Sequence, residues 1–350
     1  MLYYTENPHG GDVYGGDIEL DFSANVNPFG TPEAVQEAVR NELPNMWRYP
    51  DPYCRRLVKA IAAREAVPEN YILCGNGAAE LIYSFCLAVK PGLASELVPT
   101  FSEYALGLKR CGSRIERFFL REENSFRADE KILNFIREKR PEVFFICNPN
   151  NPSGLCMEPS LLKKVLGLSR ETGTRIFLDE CFMDLADRDL SMKGFLSEYP
   201  GLIILKAFTK SYGMAGIRLG YCLSSDSWLL SRMAETVQPW NVSAPAQAAG
   251  EAALRENEFL DRFRAMIPSE REFLRRGMEE LGFKVCPSEV NFLLFRAPEN
   301  LGAELRKKGI AIRDCGDSIG LQKGWFRIAV RRREENGRLI SAMREICRDR

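Results

Sequence analysis

Histidine is almost missing from this chain: 350 residues carry a single one, His9. Eleven cysteines are present, but no two stand in a Cys-x-x-Cys pair. With one imidazole and no cysteine cluster, a zinc site has poor support, and no metal is expected. The cysteines are scattered through apolar contexts such as ILCG, FFICN and GYCL, which fits reduced thiols in a cytoplasmic protein better than a disulfide framework. No apolar run approaches the roughly 18 residues that suggest a membrane span. The opening MLYYTENPHGG has neither a basic stretch nor an apolar one, so no secretory signal is expected. Charge of one sign is missing too: 48 basic residues balance 48 acidic ones. That balance argues against a nucleic-acid or membrane surface, while leaving room for a local cationic pocket. There is no internal repeat and no low-complexity segment.

What is present is an ordinary enzyme-like composition, 45% apolar and 27% charged. The length exceeds a usual single core, which predicts a large domain and a smaller one. Residues 1–30 are rich in glycine and proline and are expected to form an arm. Thr31-Pro32-Glu33 should open a helix with Thr31 as its N-cap. A second helix is expected over 54–66. Short β-rich runs then alternate with amphipathic helices: YILC, SELVP, RIERFFL, VFFIC, TRIFLD, LIILKAF and IRLGYCL. This alternation predicts an α/β fold with a mostly parallel sheet covered on both faces. After WNVSAPAQ the pattern changes to a long helical stretch over 244–281. The strands KVCP, VNFLLF, IAIRD and WFRIAV follow, with helices over 299–308 and at the end of the chain. The expected division is an arm (1–30), a large domain (31–243) and a small α+β domain (244–350).

Four stretches carry chemistry, and each falls where a strand ends or a helix begins, the place where open α/β sheets bind ligands. In CGNGAAE (74–80), glycines after a strand let backbone amides face an anion at a helix N-terminus. In FLDECF (177–182), Asp179 ends an apolar strand; a carboxylate there needs a cationic partner, such as a protonated ring nitrogen. In FTKSYGMAGIRLG (208–220), Lys210 lies among small and aromatic residues, where a lowered pKa would make its amine nucleophilic. Thr209 and Arg218 of the same stretch could both reach a phosphate. The fourth is NPNNPSG (148–154).

A phosphate cradle, an acid for a ring nitrogen, a nucleophilic lysine and a phosphate arginine together match what pyridoxal 5′-phosphate requires. On these motifs the chain resembles the fold-type I pyridoxal-phosphate enzymes of the class I/II aminotransferase group over essentially its whole length. The resemblance implies a seven-stranded, mostly parallel large-domain sheet and assigns roles. Lys210 binds the cofactor aldehyde and Asp179 pairs with the pyridine nitrogen. Asn151 donates to the ring 3-hydroxyl and also contacts substrate. Gly77, Ala78, Thr209 and Arg218 form the phosphate cup. Tyr104, in TFSEYA, stacks on the ring. Tyr49, in RYPD, reaches the cofactor phosphate of a neighbouring subunit, which implies a homodimer. Two positions depart from the group's pattern. Phe182 stands where a tyrosine is usual, and Ala207 where serine or threonine is common.

Within the group, HGG, DFSANVNPFG, RYPD, Phe182, QPWNVSAPAQ and IRDC resemble the branch that decarboxylates L-threonine O-3-phosphate for the side arm of cobalamin. The implied substrate is a phosphorylated amino acid, with L-serine O-phosphate as a possible second one. His9 would bind the substrate phosphate and Asn25 would be a second contact. Arg313 and Arg327 would supply two cationic forks for a substrate bearing a carboxylate and a phosphate. The run Arg331–Arg333 is expected to be a solvated face. The histidinol-phosphate aminotransferase branch is the alternative, and a non-catalytic effector-binding module the remote one.

Overall fold

The short apolar runs between residues 72 and 223 form one sheet of seven strands in the computed structural model, which describes residues 9–348. These strands are β1 (Ile72–Gly75), β2 (Leu93–Val98), β3 (Arg114–Phe119), β4 (Val143–Cys147), β5 (Arg175–Asp179), β6 (Leu202–Ala207) and β7 (Gly220–Leu223). Their order is β1-β7-β6-β5-β4-β2-β3. Every pair is parallel except those of β7, which runs antiparallel to both β1 and β6. The expected mostly parallel α/β sheet is therefore what forms.

Period-two alternation sends successive side chains to opposite faces. Phe144 and Ile146 of β4 join Ile176, Leu178 and Ile204 in the core on one face. Phe145 and Cys147 join Phe177, Ile203 and Leu205 in the core on the other. Helices cover both faces, so the central strands β4, β5 and β6 are nearly continuously apolar rather than alternating apolar and polar.

Buried charge sits inside β2, where Glu96 accepts from Arg117 at 2.9 Å, and inside β6. Lys206 is buried and faces Glu65, at 3.1 Å, and Asp184, at 3.5 Å. Glu65 also accepts from Lys193 (2.8 Å) and from the Tyr221 hydroxyl (2.6 Å). Burial pushes the Glu65 carboxyl up, but Lys206, Lys193 and Tyr221 overrule it and hold it at about 2.

The smaller unit is a four-stranded antiparallel sheet ordered Arg313–Asp314, Trp325–Ala329, Phe292–Arg296 and Lys284–Val285. The described part of the arm docks on this unit. Leu20–Asp21 pairs in parallel with Ile310–Ala311, and Leu20 and Phe22 enter its core. Packing also crosses the expected boundary at 243/244. Ala246, Ala249, Ala253, Leu260, Phe263 and Ile267 belong to a large-sheet core, and only from Leu274 onward does the chain enter the small core.

Three local expectations are corrected. The first helix is Glu33–Glu42 and has no side-chain cap, because the Thr31 hydroxyl donates instead to the Gly213 carbonyl at 2.8 Å. The stretch 244–281 is two helices, Ala244–Ala253 and Asn257–Glu279. The run Arg331–Arg333 is a solvated face at Arg332 and Arg333, both exposed, but not at Arg331. Arg331 is largely buried, donating to Glu335 at 2.6 and 2.9 Å and to the Asp21 carbonyl at 3.1 Å, while Arg332 pairs with Glu335 and Arg333 with Glu270.

Candidate active site

A cavity of about 440 Å³ opens at the carboxyl ends of β4, β5 and β6, where the two units and the arm meet. Its position follows from the topology. Because β7 is antiparallel, Gly220 lies opposite both Ala207 at the end of β6 and Gly75 at the end of β1. Three separate stretches thus converge on one sheet edge.

Lys210 lies on the single-turn helix Phe208–Ser211 that follows β6. The arm fastens this turn: the Asn27 backbone N–H donates to the Lys210 carbonyl (3.1 Å), and its side-chain amide to the Ser211 carbonyl (2.9 Å). Burial, then the nearby cations Arg327 and Arg218, push the Lys210 ammonium down to about 8. Asp179, at the end of β5, is buried, and burial pushes its carboxyl up against the pull of its donors. One oxygen accepts from the Cys181 N–H at 2.9 Å and the other from the Tyr104 hydroxyl at 2.6 Å. Among the described residues, no cation lies within ion-pair distance of it.

Two glycines shape the candidate anion cradle. Gly77 has φ +84°, and a Cβ there would sit 2.7 Å from Nη2 of Arg218. A Cβ on Gly220 would sit 2.7 Å from the Ala78 nitrogen. Ala78, Thr209 and Arg218 all line the cavity, and Ala207 lines it without bringing a hydroxyl.

The small unit supplies a second cationic group. Arg327 is buried; its Nη1 donates to Asn151 Oδ1 (2.6 Å) and its Nη2 to the Ser23 carbonyl (2.8 Å). Its Nε has no partner among the described residues, and burial pushes the guanidinium down to about 10. Because a guanidinium only donates, this contact fixes the Asn151 carbonyl toward Arg327 and leaves its amide as the donor end. Arg313 pairs in register with Arg327 and also lines the cavity. Asn25 is buried beside them, and neither of its side-chain polar atoms has a hydrogen-bond partner among the described residues. Among the described residues, no carboxylate lies within ion-pair distance of Lys210, Arg218, Arg313 or Arg327.

His9 does fold over the cavity. Its Nε2 lies 2.6 Å from Glu103 Oε1, and its ring packs on Phe101 at 5.6 Å. The His9 contact, with the Tyr83 hydroxyl at 2.6 Å, holds the Glu103 carboxyl below its ordinary range. The preceding residues 7 and 8 of NPHGGD lie outside the described residues.

Three expected residues are not at the cavity wall; Gly77, set against Arg218, is one. Tyr104 is fully buried behind it, its ring stacked on Phe145 at 5.1 Å and its hydroxyl committed to Asp179. It has no open face on which a ligand ring could stack; Phe101, three residues earlier, lines the cavity instead. Tyr49 stands away from the cavity, 76% exposed and stacked on Trp240 at 4.4 Å. Phe182 does form part of the wall, packed edge-on against Phe292 at 4.9 Å. Residues that motif reading missed are Glu103 and Phe101, both inside TFSEYA, and the thiols of Cys147, Cys181 and Cys315, which nothing in the sequence marks as lining residues.

The donor set fits pyridoxal phosphate: a backbone cradle closed by Arg218, an amine with a lowered proton affinity, and a buried acid lacking a cation. The chain belongs to the aminotransferase class I and II family, whose sequence profile matches residues 17–343. It is a pyridoxal-phosphate-dependent enzyme. It is 33% identical to a threonine-phosphate decarboxylase of Salmonella typhimurium, over 97% of this chain and 96% of that one. It is 30% identical to a histidinol-phosphate aminotransferase of Methanococcus maripaludis, over 95% and 92% of the two chains. Among solved structures, a histidinol-phosphate aminotransferase from Clostridium acetobutylicum superposes with a TM-score of 0.88 at 28% identity, covering 95% of this chain and all of that one. Among the described residues, no helix is long and apolar enough to cross a membrane.

Proposed function

We propose that the chain decarboxylates an O-phosphorylated amino acid, L-threonine O-3-phosphate, to (R)-1-aminopropan-2-yl phosphate and CO2, a product suited to the side arm of cobalamin. The observation that carries this reading is the second cationic group. Arg313 and Arg327 come from the strands of the smaller sheet, whereas Arg218 lies in the loop before β7; among the described residues they hold no carboxylate and stand beside an Asn25 amide with no hydrogen-bond partner. Such a group calls for a substrate with an anion of its own, beyond the cofactor phosphate. The decarboxylase relative from Salmonella supports the choice of reaction.

Bound pyridoxal phosphate supplies an aldehyde that links to an amine and a protonated ring that accepts the electron pair released at Cα. Gly77, Ala78, Thr209 and Arg218 hold its phosphate, and Asp179 keeps the ring nitrogen protonated. Asn151, fixed by Arg327, offers its amide to the ring 3-hydroxyl and the substrate. Lys210, with its ammonium pushed down to about 8, provides an amine near neutral pH. The same amine holds the proton that returns to Cα after CO2 departs. Arg313, Arg327, Asn25 and His9 grip the substrate phosphate and carboxylate. Their task is orientation: the bond from Cα to the carboxylate must stand perpendicular to the ring plane to break. Positioning of this kind contributes up to about 7–11 kcal/mol in well-oriented reactions.

The assay is CO2 release from phosphothreonine by purified protein supplied with the cofactor. Release abolished in Lys210→Ala is the expected result. No CO2, together with 2-oxoglutarate-dependent transamination of histidinol phosphate, overturns the proposal in favour of the aminotransferase reading.

The same reading includes a homodimer. Met46, Trp47, Tyr49, Tyr53 and Trp240 form an exposed, largely aromatic group around RYPD, suited to burial by a second copy. Tyr49 would then serve the neighbouring cavity. Mixing inactive Tyr49→Ala and Lys210→Ala chains should restore activity through hybrid dimers, whereas a sharing-free monomer would stay inactive.

A further inference from the structure

Tyr104 sits one layer behind the cavity, and the geometry points to a specific task for it. We infer that Tyr104 is a positioning residue whose hydroxyl keeps the proton on the cofactor's ring nitrogen by stabilising Asp179 as a carboxylate. The inference rests on the reading of Asp179 as the partner of that nitrogen.

Two opposed effects act on Asp179. Its burial favours the neutral acid. A neutral Asp179 would have taken the ring proton and left an uncharged pyridine, a poor electron sink. Against this stand two donors, the Cys181 N–H at 2.9 Å on one oxygen and the Tyr104 hydroxyl at 2.6 Å on the other. A hydrogen bond to a carboxylate stabilises the charged form and lowers its appetite for a proton. With both donors in place, the shared proton lies on nitrogen.

The structure holds the Tyr104 hydroxyl as a donor. The residue is on the helix Glu103–Arg110, fully buried, with its ring stacked on Phe145 at 5.1 Å and 21° and set edge-on to Phe101 at 5.7 Å. Packing on two sides fixes the ring, so the hydroxyl meets Asp179 without further loss of freedom. The titratable groups facing Asp179 are Tyr104, Cys147, Cys181 and Lys210. Burial pushes the tyrosine and both thiols well up, so all three stay neutral at physiological pH. Among these neighbours, Tyr104 and the Cys181 amide are the two that donate to the carboxylate.

The test is the nitrogen itself. Apoprotein is loaded with pyridoxal phosphate carrying 15N in the ring, and the nitrogen chemical shift is followed against pH. Wild type should show the protonated-pyridine position at pH 7, and Asp179→Asn the neutral one. Tyr104→Phe, which keeps the aromatic packing, should move toward the neutral position. Phe145→Leu, which loosens the packing but keeps the hydroxyl, should lower stability and leave the nitrogen signal in place. A Tyr104→Phe signal identical to wild type, with Asp179→Asn shifted, overturns the role of Tyr104 alone. A neutral wild-type nitrogen, or an unshifted Asp179→Asn, overturns the underlying reading of Asp179. Should Tyr104→Phe fail to fold, p-aminophenylalanine at 104 keeps the ring with a weaker donor. The nitrogen signal at pH 7 should then move part-way toward the neutral position, and a signal identical to wild type refutes the inference.

Discussion

Gly77→Ala is the sharpest perturbation of the phosphate cradle, because one methyl group tests its whole geometry. The new Cβ would meet Nη2 of Arg218 at 2.7 Å and Cζ at 3.0 Å, closer than carbon can approach either. The backbone cannot relieve the clash cheaply. Gly77 has φ +84° and ψ 157°, a region essentially reserved for glycine, where another residue costs about 1–3 kcal/mol. Arg218 must therefore move. Among the described residues its guanidinium donates only to the Ala215 carbonyl, at 3.3 Å, so it swings without breaking an ion pair there. What is lost is one charge-assisted hydrogen bond to the cofactor phosphate, about 1.5–3 kcal/mol. At 1.4 kcal/mol per factor of ten, that weakens cofactor affinity about 10- to 150-fold. Titrating apoprotein with pyridoxal phosphate and following the absorbance reads this directly. Unchanged affinity in a folded Gly77→Ala protein would show that Arg218 and the Gly77–Ala78 turn do not hold the phosphate.

Other expectations concern stability. Asn25→Leu removes a buried amide with no partner, so the apoprotein should gain about 1–3 kcal/mol in urea unfolding while CO2 release from phosphothreonine collapses; a destabilised variant would mean Asn25 is a structural residue. Glu65→Gln strips the hydrogen-bonded counter-charge from buried Lys206, beside Asp184 and Glu180, and should cost about 3–5 kcal/mol. Since the Glu65 carboxyl is held near 2 in the folded chain, its contribution is complete above pH 4.5 and fades as pH falls toward 2; the wild-type advantage over Glu65→Gln should shrink over that interval. Lys210 behaves oppositely. Its ammonium is pushed from 10.5 down to about 8, so the unfolded chain binds the extra proton between those values, and apoprotein stability should rise with pH there. Lys210→Met should lack that rise in thermal melts.

How much was legible beforehand depends on where the deciding force lies. VFFIC and TRIFLD announce buried strands because parallel strands covered on both faces are continuously apolar. Lys210, Asp179 and Arg218 were legible as candidates because each stands near a strand end within a short motif, and all three line the cavity. Lys206 escaped notice inside LIILKAF, since a lone lysine in an apolar run gives no hint of Glu65, which lies far away in sequence. The choice between Phe101 and Tyr104 was equally hidden. Both are aromatic, three residues apart, and only the packing against Phe145 decides which faces the cavity. The break between the helices Ala244–Ala253 and Asn257–Glu279 has no glycine or proline to mark it; Leu254, Arg255 and Glu256 all favour helix, and tertiary packing overrides that preference. Thr31 has the chemistry of a cap, but a carbonyl at Gly213 competes for its hydroxyl successfully.

The reversal of β7 bears on how the protein is born. Gly75, Ala207 and Gly220 become neighbours only when the last strand of the large sheet slots between two that were synthesised earlier. A nascent chain that has emerged from the ribosome as far as Asp179 owns the acid but neither the amine nor the arginine. Arg327 follows later still. The proposed cofactor contacts are therefore complete only after the large sheet has all its strands.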